Sequence, residues 1–242
     1  MEDTQKRFIE LADRADERFY TTFTDFLNME EQSVLKNTKL STPYHLFGGY
    51  EMAERCVAGF GENSKYDEFP ISIIKIEPLQ QKFADKLSHR DFLGSLMGLG
   101  IKRELLGDIV IAENIGFLFC IESIANYIVQ NIDKVKHTSV KCKIVDELPK
   151  TAIKEPDEVK ITVSSLRLDV VVAGVYNFSR NEVKEHFVAR KIFVNSKLTE
   201  NFSQIVKSGD VISVRGFGRF VYCDTLGTTK KNRLIISVKV YR

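Results

Sequence analysis

Between residues 70 and 147 the spacing of apolar residues switches back and forth between strand and helix periods, and the order of the switches constrains the fold more than any other feature. Ile71-Ser72-Ile73-Ile74-Lys75-Ile76 is an apolar strand run stopped at Pro78. Ser88 to Leu99 is predicted as a helix, with Ser88 as N-cap, Asp91 three residues on, and Gly98 and Gly100 ending it. Asp108 to Ala112, a Glu113-Asn114 turn and Gly116 to Ile121 form a predicted hairpin. A second helix from Ser123 to about Asp133 places Ile124, Tyr127, Ile128 and Ile132 on one face, and Ser139 to Val145 alternates as a last strand.

The resulting order, β-α-β-β-α-β, is the ferredoxin-like pattern, assigned to residues 69–148. Residues 1–68 are predicted as a helical region, because Phe8, Leu11, Ala12, Ala15, Phe19, Phe23 and Phe26 recur at three- and four-residue spacing. Gly48-Gly49 is expected to make a structural turn, since a phosphate-cradling loop would need more glycines or a Lys/Ser pair. Residues 149–159, Pro-bearing and charged, are predicted as a linker. Residues 160–242 are predicted as two short helices followed by a small sheet. Ser165 is expected to cap the first helix, with Leu168, Val171, Val172 and Val175 on its apolar face. Ser179-x-x-Glu182 is a capping box opening the second, with Val183, His186 and Phe187 inward. Ile192 to Asn195, Val211 to Val214, Phe220 to Cys223 and Leu234 to Tyr241 read as strands, so the fold class is α+β.

The net charge of +2 conceals an asymmetry. Residues 160–242 carry 15 Lys and Arg against 6 Asp and Glu, a net of +9, while residues 1–159 have a net of −7. A basic module on an acidic scaffold points to a polyanion, nucleic acid or an anionic membrane surface. No apolar run approaches the length of a membrane span, and the charged N-terminus has no signal-peptide core. Cys56, Cys120, Cys142 and Cys223 form no C-x-x-C pair, which argues against structural zinc and a disulfide framework and for a reducing cytosol.

Leu166-Arg167-Leu168-Asp169, Phe178-Ser179-Arg180, Ile192-Phe193-Val194-Asn195 and Ser208-Gly209-Asp210-Val211-Ile212 occur in that order. The set resembles the RNA-binding domain named after small-subunit ribosomal protein S-four, a helix pair on a small bent sheet. The residues make chemical sense in their own right. Arg180 at a helix start and Lys184 one turn on make a basic stripe beside Val183 and Phe187, where helix N–H groups also favour phosphate. RNA is read largely through shape and backbone contacts, which suits such a stripe. Ser179 is expected to act chiefly as a cap, and Asp169 as a first-turn dipole partner. Where the domain usually has glycines this chain has Arg190 and Ser196, and Arg190 is expected in a left-handed conformation. Arg215-Gly-Phe-Gly-Arg219 and Lys230-Lys231-x-Arg233 extend the basic surface.

The segments F-G-G-Y-E-x-A-E-R (47–55), H-R-D-F-L-G (89–94), L-G-I-K-R-E-L-L-G-D-I (99–109) and R-G-F-G-R (215–219) together resemble the bacterial YlmH family over the full length. The resemblance implies a helical N-terminal part, a central domain similar to an RNA-recognition fold, the S-four-type domain and no catalysis. It also implies ribosome-associated quality control, with binding to large subunits carrying obstructed peptidyl-tRNA, and an association with cell-division genes. The expected partners are structured RNA (rRNA or tRNA) and the large subunit, with no cofactor or metal, and a cytoplasmic monomer is expected. The candidate RNA-binding residues are Arg167, Ser179, Arg180, Lys184, Lys191, Asn195, Lys197, Arg215, Arg219, Lys230 and Lys231. Arg90, Lys102 and Arg103, with His89, form a candidate secondary surface. Phe117 and Phe119, at i and i+2 in a G-F-x-F strand, could stack two bases but are expected to pack the core.

The alternative is an RNA-modifying enzyme. Arg167-Leu168-Asp169 with Gly174 is superficially similar to the nucleophile stretch of pseudouridine synthases, but the 73 residues that follow Asp169 are taken up by the binding domain. A methyltransferase would need a glycine-rich cofactor loop after a strand, and the sequence offers none.

Overall fold

The computed structural model describes residues 2–153 and 155–241, with Phe83 described by its backbone alone. It is an α+β protein whose chain divides into two compact units between residues 153 and 154. The first unit opens with α1 (Glu2–Arg18), which buries Phe8, Ala12 and Ala15 along one stripe. The helix stops at Arg18 because Phe19 turns left-handed, with φ of 55°, and its ring is 92% exposed. The three- and four-residue spacing that continues through Phe23 and Phe26 is therefore not helical. β1 (Thr22–Phe23) follows, then α2 (Met29–Lys36), β2 (Tyr44–Phe47) and β3 (Val57–Phe60). These strands form a sheet in the order β1-β3-β2, so the prediction of a helical region over 1–68 is corrected to two helices on a small antiparallel sheet. Local chemistry does set α2: the Asn28 side chain accepts from the N–H groups of Glu30 and Glu31, and Glu31 accepts back from Asn28 N–H.

The rest of the unit runs β4 (Ile71–Pro78), α3 (His89–Gly98), β5 (Leu106–Ala112), β6 (Ile115–Ile121), α4 (Glu122–Asn131), β7 (Lys134–Val135) and β8 (Thr138–Val145). The sheet order is β5-β6-β4-β8-β7, antiparallel throughout. The β5–β6 turn holds Glu113 and Asn114 at φ of 49° and 67°, the left-handed pair a two-residue hairpin requires. One sheet face, with Ile74, Ile76, Leu118 and Cys120, packs on Phe92 and Leu96 of α3 and Ala125 and Ile128 of α4. Tyr127, predicted on that apolar face, is 48% exposed, and Ala125 occupies the buried position instead. The opposite face, with Ile73, Phe117 and Phe119, packs on Phe26, Val57 and Ala152.

The second unit comprises β9 (Asp157–Val163), α5 (Leu168–Tyr176), α6 (Arg180–Val188), β10 (Ile192–Val194), β11 (Lys197–Leu198), β12 (Val211–Val214), β13 (Gly218–Thr228) and β14 (Leu234–Tyr241). Its sheet order is β11-β10-β12-β13-β14-β9, and both helices contribute to one core with it. Residues 149–159 are not a free linker. Residues 150–152 form a 3-10 turn that buries Ala152, and Asp157 begins β9, which pairs along β14 from Val240 to Leu234. Its outward Glu158, Lys160 and Thr162 suit a sheet edge, while Val159, Ile161 and Val163 face the helices. Ser165 does not cap α5. Arg167 occupies that position and makes no side-chain cap bond. Arg190 stands at φ of 54°, as expected, and Ser196, the other residue in place of a glycine, at 60°. A left-handed non-glycine costs on the order of 1–2 kcal/mol.

A candidate nucleic-acid interface

The start of α5 is pinned by a loop rather than by its own cap. The N–H groups of Leu168 and Asp169 donate to the carbonyls of Gln204 (2.8 Å) and Phe202 (3.1 Å). The start of α6 carries the predicted capping box: Glu182 N–H donates to Ser179 Oγ (3.3 Å), and Ser179 N–H donates to Glu182 Oε2 (2.7 Å). Ser179 is thus engaged as a cap. These two fixed helix starts, with the β13–β14 turn, place Arg167, Arg180, Lys184 and Arg233 around one cleft of about 890 Å³. Arg233 is steadied by a bond from Nη2 to the Thr162 carbonyl (3.0 Å). Arg167 is held by Asp169 through two charged bonds, which raise its already high pKa. Arg180 and Lys184 are exposed and have no ion-pair partner among the described residues. Of the cations lining the cleft, they are the most available to an anionic ligand.

The remaining predicted residues lie outside that cleft. Lys191 and Arg215 are neighbours, with Arg215 N–H donating to the Lys191 carbonyl (2.9 Å) and the Arg215 guanidinium 5.6 Å from the centre of the Phe193 ring. Asn195 and Ser196 form the left-handed β10–β11 turn. The Asn195 side chain donates to Asp210 (2.9 Å) and accepts from Val211 N–H (2.9 Å), so it is committed to the turn. Lys197 is exposed beyond that turn, Arg219 is half-buried on β13, and Lys230 and Lys231 are exposed in the β13–β14 turn. Phe202 was missed in the sequence. It lines the cleft and is 53% exposed, and the only signal is an aromatic among the polar neighbours Asn201 and Ser203.

In the first unit the aromatic sheet face is covered. Tyr50 stacks on Phe119 with ring centres 5.1 Å apart, and Phe117 and Phe119 are buried. The approach is close enough that a Cβ on Gly49 would lie 2.2 Å from the Phe119 ring, which explains the Gly48-Gly49 pair as a packing turn. Two of the sequence signatures bind each other. Asp108 accepts from Tyr50 Oη (3.0 Å) and from the N–H groups of Glu54 (2.6 Å) and Arg55 (3.1 Å). The Arg55 guanidinium donates to the carbonyls of Leu106 (2.9 Å) and Phe26 (2.8 Å).

Arg103 joins this latch, with Nη1 donating to the carbonyls of Leu106 (2.6 Å) and Gly107 (3.2 Å). Burial and the Arg55 charge bring its pKa down to about 10. Desolvation and the Arg103 charge hold His89 below the ordinary imidazole value. Of the candidate secondary surface, Arg90 and Lys102 are exposed, and Arg103 is half-buried in structural bonds. Cys120 and Cys142 are thiols pushed up by burial to about 12 and about 11, values that keep them protonated and unreactive.

The fold and the cleft define a two-unit α+β protein whose second unit gathers four cations around one cleft. Residues 64–148 match the family model described as "Putative RNA-binding domain in YlmH". The chain is 33% identical over 227 residues to the "Ribosome-associated protein quality control protein P2" of Bacillus subtilis (strain 168), covering 90% of this chain and 86% of that protein. The chain belongs to the YlmH family. It also aligns with the solved "Cell division protein ylmH from Streptococcus pneumoniae" at a TM-score of 0.48 and 20% identity, over 60% of this chain and 90% of that one.

Proposed function

We propose that the chain is a non-catalytic, cytoplasmic RNA-binding factor that engages rRNA or tRNA on the large ribosomal subunit during ribosome-associated quality control. The observation that carries this reading is the meeting of Arg167, Arg180, Lys184 and Arg233 on one cleft within the region of net +9. Four cations around one concave surface make a basic patch of the kind that attracts a polyanion such as RNA. The name of the Bacillus relative supports the ribosomal setting. On this reading the second unit is the S-four-type RNA-binding domain. The strands and helices of 69–148 are a ferredoxin-like domain whose aromatic face is occupied by Tyr50 rather than by bases.

The enzymatic alternative is disfavoured at Asp169. The carboxylate that would act as nucleophile accepts two bonds from Arg167 and one from Val170 N–H (3.0 Å). The test is sedimentation of cell lysate at low and high salt. The chain is expected to co-migrate with large subunits at low salt and to leave them as salt rises. A chain that never co-migrates, even with stalled complexes present, overturns the reading.

A further inference from the structure

We propose that Phe202 is a stacking platform for an unpaired nucleobase, so that the cleft selects looped or bulged RNA over continuous duplex. This rests on the RNA-binding reading above and goes beyond phosphate attraction. The Phe202 ring lines the cation-lined cleft yet is 53% exposed, and it meets the Phe187 ring edge-on at 6.1 Å. The contact anchors the ring on one side and leaves about half of the residue open to a ligand.

The loop that carries the ring is fixed. Its carbonyl accepts from Asp169 N–H (3.1 Å), Ser203 N–H donates to Asn201 Oδ1 (3.1 Å), and Thr199 Oγ1 donates to Gln204 Oε1 (3.1 Å). A fixed apolar ring in water beside exposed Arg180 and Lys184 offers a π-face to a base while the cations take its flanking phosphates. The cleft volume of about 890 Å³ is within the range of roughly 300–1,000 Å³ that admits a small organic group. Bases inside an A-form helix stack on each other and present only their edges, so only a splayed-out base can cover the ring.

The chain contains no tryptophan, so Phe202→Trp introduces a single indole reporter. The full-length variant is titrated with protein-free large-subunit rRNA, with single-stranded oligoadenylate and with a blunt RNA duplex, and binding is followed in parallel on filters. Indole emission is expected to be quenched by the rRNA and the oligoadenylate and not by the duplex. Full-length Phe202→Ala is expected to bind the rRNA roughly 5- to 150-fold more weakly, the range for one lost base stack, and to keep its fold because the ring is more than half exposed. Binding of rRNA without quenching, or wild-type affinity in Phe202→Ala, overturns the stacking role and leaves the RNA-binding reading standing. A wild-type chain that binds neither these three probes nor tRNA overturns both.

Discussion

Arg167 and Asp169, two residues apart at the start of α5, are joined by a fork: Nε to Oδ1 at 3.1 Å and Nη2 to Oδ2 at 2.9 Å. The pair aims the guanidinium into the cleft and also cancels much of its charge. Arg180 and Lys184 have no such partner among the described residues. Each of Arg180→Ala and Lys184→Ala should lower the salt dependence of RNA affinity by about 0.7–0.9 in log–log slope. Arg167→Ala should lower it by less, and Asp169→Asn should strengthen binding at low salt. Filter-binding titrations across salt concentrations read all four, and an Arg167→Ala loss larger than that of Arg180→Ala would contradict the ranking.

Asp108 collects three donors from the 50–55 segment. Asp108→Ala leaves them without their acceptor, at a cost of about 3 kcal/mol allowing for partial access of water. Denaturant unfolding followed for the first unit should show that loss, while rRNA affinity stays within about twofold. The latch is structural, and the cleft has its own scaffold.

Gly49 sits at φ of +96° under the Phe119 ring. Gly49→Ala adds a methyl group where the ring already stands, in a backbone region that L-residues avoid. Overpacking and the left-handed penalty together should cost about 3 kcal/mol or more. The measurement is the unfolding midpoint, and an unchanged midpoint would mean that the Tyr50–Phe119 stack is easily displaced.

Three carboxylates are held below their ordinary pKa values: Glu77 by Lys75 and Lys141, Asp91 by the Ser88 hydroxyl and N–H, and Glu182 by the Ser179 N–H and hydroxyl. A depressed folded-state value means the unfolded chain binds the proton more readily. The stabilisation is therefore complete above the ordinary carboxylate range and is lost as pH falls through the lowered values. Thermal midpoints should fall on acidification below about pH 4.5. The triple variant Glu77→Gln, Asp91→Asn, Glu182→Gln should start lower and fall less steeply.

What the sequence made legible was mostly local. The capping boxes at Ser88–Asp91 and Ser179–Glu182 and the Glu113-Asn114 turn follow from neighbours a few residues apart, and all three are present. The Arg180–Lys184 stripe was also legible, because one helix carries both a turn apart; that Arg167 lines the same cleft was not. The N-terminal sheet was not. Thr22 pairs with Phe60, and nothing in the Phe19, Phe23, Phe26 spacing distinguishes a strand that finds a distant partner from a helix that continues. The turn role of Asn195 was not legible, because it depends on Asp210 and Val211, fifteen and sixteen residues on, which bind its side chain. Phe202 escaped notice because its exposure depends on the bond between its carbonyl and Asp169.

The stack of Tyr50 on Phe119 has a thermodynamic corollary. It makes the small N-terminal sheet and the larger central one share a single apolar interior, in which Phe26, Val57, Phe117 and Phe119 lose water together. The region up to residue 153 should therefore melt as one cooperative body, and the region built on Val171, Phe220 and Ile236 as another. Damage to the first leaves the cations of the second in place. In a cell, such a lesion would leave a chain whose basic module is still folded on its own core while the region matched by the RNA-binding family model is lost.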